Sequence, residues 1–577
     1  MKILGICNDE TASACLMIDG EIVCAASEER FTRVKLDNSF PLNSIQFCLD
    51  HCQLTLPDVD VIAYAWYKGF DPYLLQQYTA SGAEYSGDDN SFKIMQERIK
   101  WEISQDRKKR DEFDHWVAKN IHDNNQKVMD FYHHEAHAAS ASFVSPFDKG
   151  YVFTCDARGD FESATIYKFC RKSDQKLQKI FSATSIESFG FYYGRITGLL
   201  GFKPMRHEGK VTGLAAYGDK KKALPLCKKM LEVSVGKIKA HLGDFYCPFF
   251  APYSEKLNSD IAKFSKEDIA ASAQEHLEQM MTDLLIFYIN KEGVSDVNLM
   301  CAGGVFGNVK VTQRLKELPS ISRVYVQPQM GDGGLCIGAC ALANEIQSDK
   351  SDDDVRSTIE LKSMYLGPLA KYRDRSRDDY RNEFVSNKYD FETSISEFTN
   401  SLANDKVIGL INGRMEFGPR ALCNRSIIYK TSDKTINDWL NKRLNRTEFM
   451  PFAPVLRAEI ASDCFQNYEA DDVTLNFMTS TVDCISDFAN RCPAVVHVDQ
   501  TARPQIVTQD SNRFIWCVLK RWEQISSEMS LINTSFNVHE EPIVCDVDEG
   551  LSSLRNGVID ELYVLENDSA TCFVVKS

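Results

Sequence analysis

The chain has 577 residues, of which 44% are hydrophobic and 26% are charged, and its formal net charge is −16. This length is too great for one ordinary hydrophobic core, so we expect at least two domains, one of them large. The acidic balance disfavours a general nucleic-acid-binding surface. No apolar run approaches the roughly 20 residues that cross a bilayer, and the N-terminus lacks a signal-peptide pattern. The 19 cysteines form no CxxC pair, which is typical of reduced thiols in a cytoplasmic protein.

A strand–polar turn–strand pattern occurs twice along the chain. Apolar runs at residues 3–6 and 14–18 flank the first polar turn. A second opening of the same kind begins at residues 151–156, passes a glycine turn at Gly159 and continues at residues 163–167. Two such units about 150 residues apart predict a duplicated α/β fold with a ligand between the halves, faced by the polar turn residues.

Three further segments complete the predicted organisation. A segment near residues 92–127 carries Lys, Glu, Asp and Arg at helical spacing, which indicates a solvated helical insertion. Residues 267–292 have the periodicity of a long helix. Residues 348–356 are polar, charged and short of apolar side chains, which is typical of a linker. The predicted domains are therefore residues 1–347 and 357–577.

A pair of histidines is the most specific chemical signal. His133 and His137 are four residues apart, so on a helix they project from one face and can meet one cation. A carboxylate from elsewhere, such as Asp332, would complete a set of two histidines and one acid that leaves coordination positions open. The metalloprotease pattern needs a Glu directly after the first histidine, but His134 occupies that position. The alternative is a helix whose histidines cap or pack without metal.

Two motifs indicate phosphate chemistry. Gly303 and Gly304 follow a strand and precede a helix, which lets backbone approach a nucleotide closely, although this signal is weak alone. After the strand pattern at residues 407–413, arginines around a Gly-Pro turn form a candidate polyanion cradle, because guanidinium groups match phosphate oxygens. Surface arginines paired with acids are the alternative. The basic side chains of this region are Arg414, Arg420, Arg425, Lys442, Arg443, Arg446 and Arg503.

A short polar run follows a late strand. Ser535 and Asn537 come after the apolar residues 529–532 and place hydroxyl and amide groups at a strand end, where α/β enzymes commonly bind ligands. Turn chemistry alone could also explain them.

Taken in order, these motifs resemble a known family: the carbamoyltransferases that decorate natural products, including the nebramycin, cephamycin, novobiocin and nodulation-factor enzymes. The resemblance runs nearly end to end. Its motifs are residues 28–35 with Phe40–Pro41, His133–His137, Glu208–Gly218, Gly303–Val305, Gly331–Gly334, Gly413–Ser426, Pro451–Pro454 and Asn533–Asn537.

The resemblance implies a fold and a two-step reaction. The fold is α/β, with an N-terminal duplicated actin-like (ASKHA) domain of the Kae1-like type and a C-terminal YrdC-like α/β domain. In the family, the YrdC-like domain converts carbamoyl phosphate and ATP, with Mg²⁺, to carbamoyl-adenylate. The Kae1-like domain then passes the carbamoyl group to a hydroxyl of a small metabolite, with iron(II) as the metal. A homodimer is among the assemblies left open.

Site residues carry over by position. The implied metal ligands are His133, His137 and Asp332. The implied substrate- and nucleotide-binding residues are Lys35, Glu208, Lys210, Gly303, Gly304, Asn308, Arg414, Arg420, Arg425 and Arg503. The implied catalytic residues of the adenylate-forming pocket are Lys442, Arg446, Ser535 and Asn537.

The chain departs from the family pattern at two points. The first turn usually carries a histidine, but here it reads Asn8-Asp9-Glu10-Thr11. Either Asp9 or Glu10 takes over as general base, or the acceptor is bound differently. A lysine is common where this chain has Leu444, and Lys442 is the expected substitute.

Two other functions are compatible with such a chain. Threonylcarbamoyl transfer to tRNA is the work of related domains, but the net charge argues against it. A catalytically silent nucleotide-binding or regulatory protein would not need both the metal pair and the arginine cluster. The sequence therefore favours an ATP-dependent O-carbamoyltransferase that acts on a small metabolite, away from nucleic acid and membrane.

Overall fold

The computed structural model describes residues 1–66, 72–122, 125–347, 359, 361, 363–372, 382–445 and 451–576. The chain divides into two compact units. The first unit comprises Met1–Val23 and Asn38–Leu361, and the second comprises Cys24–Asp37 and Lys362–Ser577. The predicted linker at residues 348–356 lies outside the described residues.

The strands are β1 Lys2–Cys7, β2 Ser13–Ile18, β3 Glu21–Ser27, β4 Val61–Tyr64, β5 Lys127–Asp130, β6 Lys149–Gly159, β7 Glu162–Cys170, β8 Leu177–Thr184, β9 Leu231–Ser234, β10 Lys237–Ala240, β11 Val297–Ala302, β12 Ile321–Val326, β13 Phe384–Asp390, β14 Ile408–Asn412, β15 Arg425–Tyr429, β16 Ala453–Arg457, β17 Val482–Asp483, β18 Thr501–Ala502, β19 Gln505–Val507, β20 Leu531–Ser535, β21 Glu561–Glu566 and β22 Ser569–Val575. The α-helices are α1 Glu29–Thr32, α2 Leu42–His51, α3 Pro72–Tyr85, α4 Asp89–Asn120, α5 His133–Ser142, α6 Phe189–Leu199, α7 Glu208–Leu214, α8 Leu224–Cys227, α9 Glu255–Ile261, α10 Lys266–Lys291, α11 Val309–Lys316, α12 Leu335–Gln347, α13 Phe391–Ala403, α14 Ile436–Arg443, α15 Ala461–Cys464, α16 Ser486–Arg491, α17 Arg513–Ile525 and α18 Val547–Arg555.

Two five-stranded sheets share the same topology. Their strand orders are β3-β2-β1-β4-β5 and β8-β7-β6-β11-β12. In each sheet the first strand pairs antiparallel with the second, as β1 does with β2 and β6 with β7. In each sheet the first strand also pairs parallel with the fourth, as β1 does with β4 and β6 with β11. The structure therefore confirms the predicted duplicated α/β fold.

Helices α5 and α12 pack on each other, α5 against β6 and β11 and α12 against β1 and β4. The two helices approach very closely at Gly338, where a Cβ atom would lie 1.9 Å from the carbonyl oxygen of Ala136. A side chain at this position would force the helices apart, so glycine is required. This contact places the histidine-bearing helix α5 beside α12, which directly follows Asp332.

The predicted solvated insertion is helix α4, and the structure corrects one part of that prediction. One face of α4 is buried and carries Met95, Arg98, Glu102, Phe113 and Trp116. The Arg98 guanidinium pairs with the Glu102 carboxylate four residues on, which lets both charges leave water. The many charged residues of this segment predicted a solvated helix. Several of them are instead paired with opposite charges inside the protein.

The second unit is built on one eight-stranded sheet, ordered β13-β22-β21-β14-β15-β20-β16-β19. Alternate residues of β14 face opposite sides, since Ile408 and Leu410 join one apolar cluster and Ile411 joins another. Helices α13 and α17 bury their apolar faces in the first cluster, and α18 buries its apolar face in the second. The sheet is therefore covered on both sides.

Residues 24–37 belong to the second unit although they precede most of the first in sequence. The Arg33 guanidinium donates to the carbonyl oxygens of Pro542 and Ile543, at 2.8 Å each, and pairs with Glu549 at 3.1 Å. Arg30 donates to the carbonyl oxygen of Gly418 at 3.1 Å. This assignment differs from the predicted division at residues 1–347, because the motif at residues 28–35 packs with the C-terminal segment.

Candidate functional site

Four side chains of the first unit converge on one point. His133 and His137 lie one turn apart on α5, fully buried, and Asp332 begins a short 3₁₀ turn before α12. Asp156, on β6, is the fourth member. One ligand atom from each of the four lies within 4.8 Å of the others.

The distances between these groups suit a shared cation. His137 Nε2 is 3.2 Å from Asp156 Oδ2 and 3.5 Å from Asp332 Oδ1. His133 Nε2 is 3.9 and 3.6 Å from the same two atoms. Within the described residues, no ring nitrogen of either histidine has a hydrogen bond of acceptable geometry. Buried polar atoms are almost always partnered, so this donor set fits a divalent metal ion.

The His133 ring is fixed by its neighbours. Its backbone N–H donates to Asp160 Oδ2 at 2.6 Å, which anchors the first turn of α5. The Trp66 ring packs against the His133 ring edge-on, with centroids 5.2 Å apart. A Cβ atom at Gly159 would lie only 2.2 Å from the His133 ring, so glycine makes room for it. The imidazole is held in place before any ligand binds.

Asp156 is the ligand candidate that the sequence reasoning missed. It comes near the end of β6, in the second strand–polar turn–strand unit, and its Oδ2 accepts the Gly304 N–H at 3.0 Å. The available signal was its place in a polar turn expected to face a ligand. That pattern does not say which turn residue points inward, since Asp160 instead caps α5.

The charged groups of the cluster shift one another's pKa values because they are close together. Burial disfavours charge on His137, but the carboxylates of Asp156 and Asp332 outweigh it and raise the pKa of His137 to about 9. Burial, together with the neighbouring Asp156 charge, raises the pKa of Asp332 well above its usual range. Two buried carboxylates repel each other unless a cation or proton lies between them. The site therefore favours a cation.

Gly303 and Gly304 lie directly beside this cluster. Gly303 has φ of 103°, and a Cβ atom there would lie 2.1 Å from the Cys155 carbonyl oxygen, so only glycine fits. The Gly304 N–H binds Asp156, as described above. The glycine turn follows a strand end of the kind that can approach a phosphate, and it is hydrogen-bonded to Asp156 of the candidate metal site.

Asn308 lies at the start of α11, and Glu208 and Lys210 lie in α7. Asn308 caps α11 and exchanges hydrogen bonds with Gln274, at 2.8 and 3.0 Å. Gln274 also accepts from the Tyr193 hydroxyl at 2.6 Å. Glu208, whose pKa is raised by burial, starts α7 and accepts the Met205 N–H, and Lys210 is buried on the same helix. These residues belong to α7, α10 and α11, and none of them is among the four side chains that could hold a cation.

The first turn carries both candidate bases. Asp9 is buried, and its Oδ1 accepts the Glu10 N–H at 3.0 Å. Burial, with the nearby charge of Asp9, raises the pKa of Glu10 to about 7. A carboxylate with a pKa near neutrality suits general base catalysis.

In the second unit, Arg425 and Arg414 hold backbone in place. Arg425 is fully buried. Its guanidinium donates to the carbonyl oxygens of Pro368, Asn412, Gly413, Asn424 and Cys545. Arg414 donates to the carbonyl oxygens of Leu366 and Gly367. These contacts support the loop, and the prediction that Arg425 and Arg414 bind phosphate stays a prediction.

Arg420 is the arginine of this loop that best suits an anion. Burial lowers the pKa of the Arg420 guanidinium to about 10, so the group stays charged at neutral pH, and a bound anion would offset the cost of burying that charge. Glu416, which the sequence reasoning did not single out, shapes the loop. Its Oε1 accepts the N–H groups of Leu422, Asn424 and Arg425, at 2.6, 3.0 and 3.0 Å.

The other predicted residues of the second unit come from several elements. Ser535 donates to Asn537 Oδ1 at 2.6 Å, so these two meet at the end of β20. Arg503 is half-buried after β18, and Lys35 is half-buried in the segment of residues 24–37. Lys442 is exposed on α14, while Leu444 is buried in the core. Arg446 lies outside the described residues.

Comparison with known proteins decides the family. The carbamoyltransferase N-terminus profile matches residues 2–341, and the carbamoyltransferase C-terminus profile matches residues 399–569. The chain belongs to the carbamoyltransferase family. It is 31% identical to an uncharacterised protein of Methanocaldococcus jannaschii over 97% of this chain and 98% of that protein. Its enzymatic class follows from the family: the protein is a carbamoyltransferase.

Nodulation proteins are among the relatives of this carbamoyltransferase. It is 28% identical to nodulation protein NolNO of Sinorhizobium fredii, over 96% of this chain and 78% of that protein. It is 31% identical to NolO of Bradyrhizobium diazoefficiens, over 75% of this chain and 77% of that protein.

Solved structures give only weak overall matches. Component A of (R)-2-hydroxyglutaryl-CoA dehydratase from Acidaminococcus fermentans covers 60% of the chain, with a TM-score of 0.33 and 17% identity. HypF of T. kodakarensis also covers 60%, which is 48% of HypF, with a TM-score of 0.34 and 11% identity. The dehydratase component is matched over 100% of its length. Among the described residues, no helix combines the length and apolar character needed to span a bilayer.

Proposed function

We propose that this carbamoyltransferase is an ATP-dependent O-carbamoyltransferase that works in two steps. The observation that carries the proposal is the convergence of His133, His137, Asp156 and Asp332 in one unit, with a buried arginine loop in the other. The first step forms carbamoyl-adenylate in the C-terminal, YrdC-like unit. The second transfers the carbamoyl group to a hydroxyl in the N-terminal, Kae1-like unit.

The first step consumes carbamoyl phosphate and ATP. Water releases phosphate from carbamoyl phosphate, and the resulting carbamate oxygen attacks the α-phosphorus of ATP, so that pyrophosphate leaves. Such chemistry depends on positioning and charge neutralisation. Arg420 and Arg503, with Lys442, Arg446, Ser535 and Asn537, are the proposed contacts for these polyanions, and Mg²⁺ would accompany ATP. Arg414 and Arg425 shape the loop that carries Arg420.

The second step forms a carbamate ester. The acceptor hydroxyl oxygen attacks the carbamoyl carbon, AMP leaves, and the hydroxyl proton passes to a base, for which Glu10 has a suitable pKa of about 7. His133, His137, Asp156 and Asp332 would hold a divalent cation, proposed to be iron(II). Such an ion would supply Lewis-acid polarisation of the carbamoyl carbonyl. Gly303 and Gly304 would receive the adenylate phosphate, and Asn308, Glu208, Lys210 and Lys35 would complete substrate binding.

The proposed setting follows the sequence. The acceptor is a small hydroxylated metabolite in the cytoplasm, and neither nucleic acid nor membrane is a partner. The net charge of −16 supports this choice over transfer to tRNA, because RNA binding relies on basic surface.

Pyrophosphate release and metal loading test the two steps separately. The intact protein should release pyrophosphate from ATP only when carbamoyl phosphate is present, and Arg420→Ala should lose this release. His137→Ala should lose bound iron and carbamoyl transfer but keep pyrophosphate release. If the intact protein releases no pyrophosphate, the proposed first step is wrong. Equal loss of both activities in His137→Ala would contradict the separation of the two steps.

A further inference from the structure

Helix α4 contacts the two equivalent turns of the duplicated fold, one in each half. In its C-terminal half, Lys109 Nζ lies 3.1 Å from Asp9 Oδ1 and donates to the Asn8 carbonyl oxygen. One turn earlier, Asp106 Oδ1 lies 2.6 Å from a guanidinium nitrogen of Arg158. Asp9 belongs to the first turn of the first half, and Arg158 belongs to the matching turn of the second half, two residues after Asp156.

The contact with the first turn is a buried network. The Asn8 side chain donates to the Lys109 carbonyl oxygen at 3.1 Å and accepts from the Tyr64 hydroxyl at 2.6 Å. The Tyr64 ring stacks on Phe113 of α4, with centroids 3.9 Å apart. The side chains of Lys109 and Asp9 are only 12% and 9% exposed. Ionic contacts this well shielded from water have fixed geometry and a high cost of disruption.

A direct path leads from Lys109 to the candidate base. The Asp9 oxygen that faces Lys109 is the same atom that accepts the Glu10 N–H. The other side of the turn is tied to the metal cluster, because Ser13 donates to the Gly333 carbonyl oxygen at 2.8 Å, next to Asp332. The first turn is therefore held between α4 and the loop that bears a metal-ligand candidate.

We propose that Lys109 and Asp106 of helix α4 are positioning residues for carbamoyl transfer. Lys109 orients Glu10 through Asp9, and Asp106 orients the turn of Asp156 through Arg158. Neither residue touches the reacting atoms. The inference rests on the proposed carbamoyl transfer at this centre. It assigns to helix α4 the role of positioning active-site residues.

Removal of the Lys109 charge should disturb this path without touching the metal ligands. In Lys109→Met, the Asp9 carboxylate would stay buried without its ammonium partner, so it would take up a proton or move towards water. Either change releases the Glu10 turn. A displacement of about 1 Å at a reacting group costs on the order of 100-fold in rate.

The experiment follows label from radiolabelled carbamoyl phosphate, with ATP and the full-length iron-loaded protein. The hydroxyl probes are glycerol, glucose and N-acetylglucosamine, and water is the competing acceptor, detected as the carbon dioxide released beyond that from carbamoyl phosphate in a matched reaction without ATP. We expect Lys109→Met to lower kcat for transfer about 100-fold, with KM for the probe, iron content and pyrophosphate release unchanged. Lys109→Arg should restore most of the rate, and Asp106→Asn should show a smaller loss of the same kind.

Lys108→Met is the matched control, because Lys108 is exposed on the same helix. It should transfer label at the rate of the parent protein. Wild-type kcat in Lys109→Met, a rise in KM alone, or no recovery in Lys109→Arg would overturn the inference. A proportional loss of pyrophosphate release would show general unfolding and would also overturn it. If the parent protein transfers label to none of the probes, including water, the proposed second step fails first.

Discussion

Gly159→Ala should remove the metal by displacing one histidine. A Cβ atom at residue 159 would lie 2.2 Å from Cδ2 and Cγ of His133 and 2.6 Å from its Nδ1. Ordinary carbon contacts begin near 3.5 Å, so the ring must retreat by roughly 1.3 Å. Trp66 packs on the ring, and the Asp160 carboxylate anchors the start of α5. The backbone of the helix therefore cannot follow easily.

The resulting loss of metal affinity can be bounded. Metal sites tolerate deviations of only about 0.2 Å in ligand distance. Removal of a residue that only supports a metal ligand lowers metal affinity roughly 10- to 100-fold. Displacement of His133, a candidate ligand itself, should lower it at least as much. The overpacked side chain should also lower the free energy of unfolding, by about 1–3 kcal/mol.

The assay is an anaerobic titration of metal-free protein with iron(II) or cobalt(II), with thermal unfolding measured in parallel. Gly87→Ala is the matched control, since a Cβ atom at residue 87 would have no neighbour within 4 Å. Unchanged metal affinity in a folded Gly159→Ala protein would refute the claim that His133 is a ligand held in place by this close contact.

Three other changes test the remaining assignments. Asp156→Asn keeps an acceptor for the Gly304 N–H but removes the charge, so metal titration should show at least about 10-fold weaker binding; equal binding would exclude Asp156 as a ligand. Glu10 can act as a base only when deprotonated, and its pKa is raised to about 7. The transfer rate should rise with pH through that value, and Glu10→Gln should abolish the rise in a pH–rate profile. Arg425→Met should leave several buried carbonyl groups without donors and destabilise the protein by at least about 3 kcal/mol in urea unfolding, whereas a folded variant that loses only pyrophosphate release would restore Arg425 to substrate binding.

Local patterns predicted much of the fold. The apolar runs at residues 3–6 and 151–156 lie within β1 and β6, and the periodic segment at residues 267–292 matches α10 to within one residue at each end. The duplication could be recognised because each half repeats the same order of strand and turn. These features depend on patterns of apolar and polar residues within short segments, and such patterns can be read directly from the sequence.

Spacing in sequence accounts for only part of the predicted cluster, since Asp332 lies far along the chain from the histidines that it joins. His133 and His137 are one helical turn apart, so their convergence follows from the helix itself. Asp156 and Lys109 depend on which of several similar polar residues points inward, and that is decided by distant packing partners. The arginines show the same limit, since Arg425 shares one motif with Arg420 but donates to carbonyl groups far along the chain, which the motif does not reveal.

The discontinuous second unit affects how the protein can fold during synthesis. Arg33 bonds to carbonyl groups 509 and 510 residues further along the chain. At the usual elongation rate of about 5–20 residues per second, residues 24–37 must wait roughly 25 to 100 seconds for these partners to leave the ribosome. During that interval Arg33 lacks these carbonyl partners, so chaperone dependence and translation speed should influence the yield of this protein.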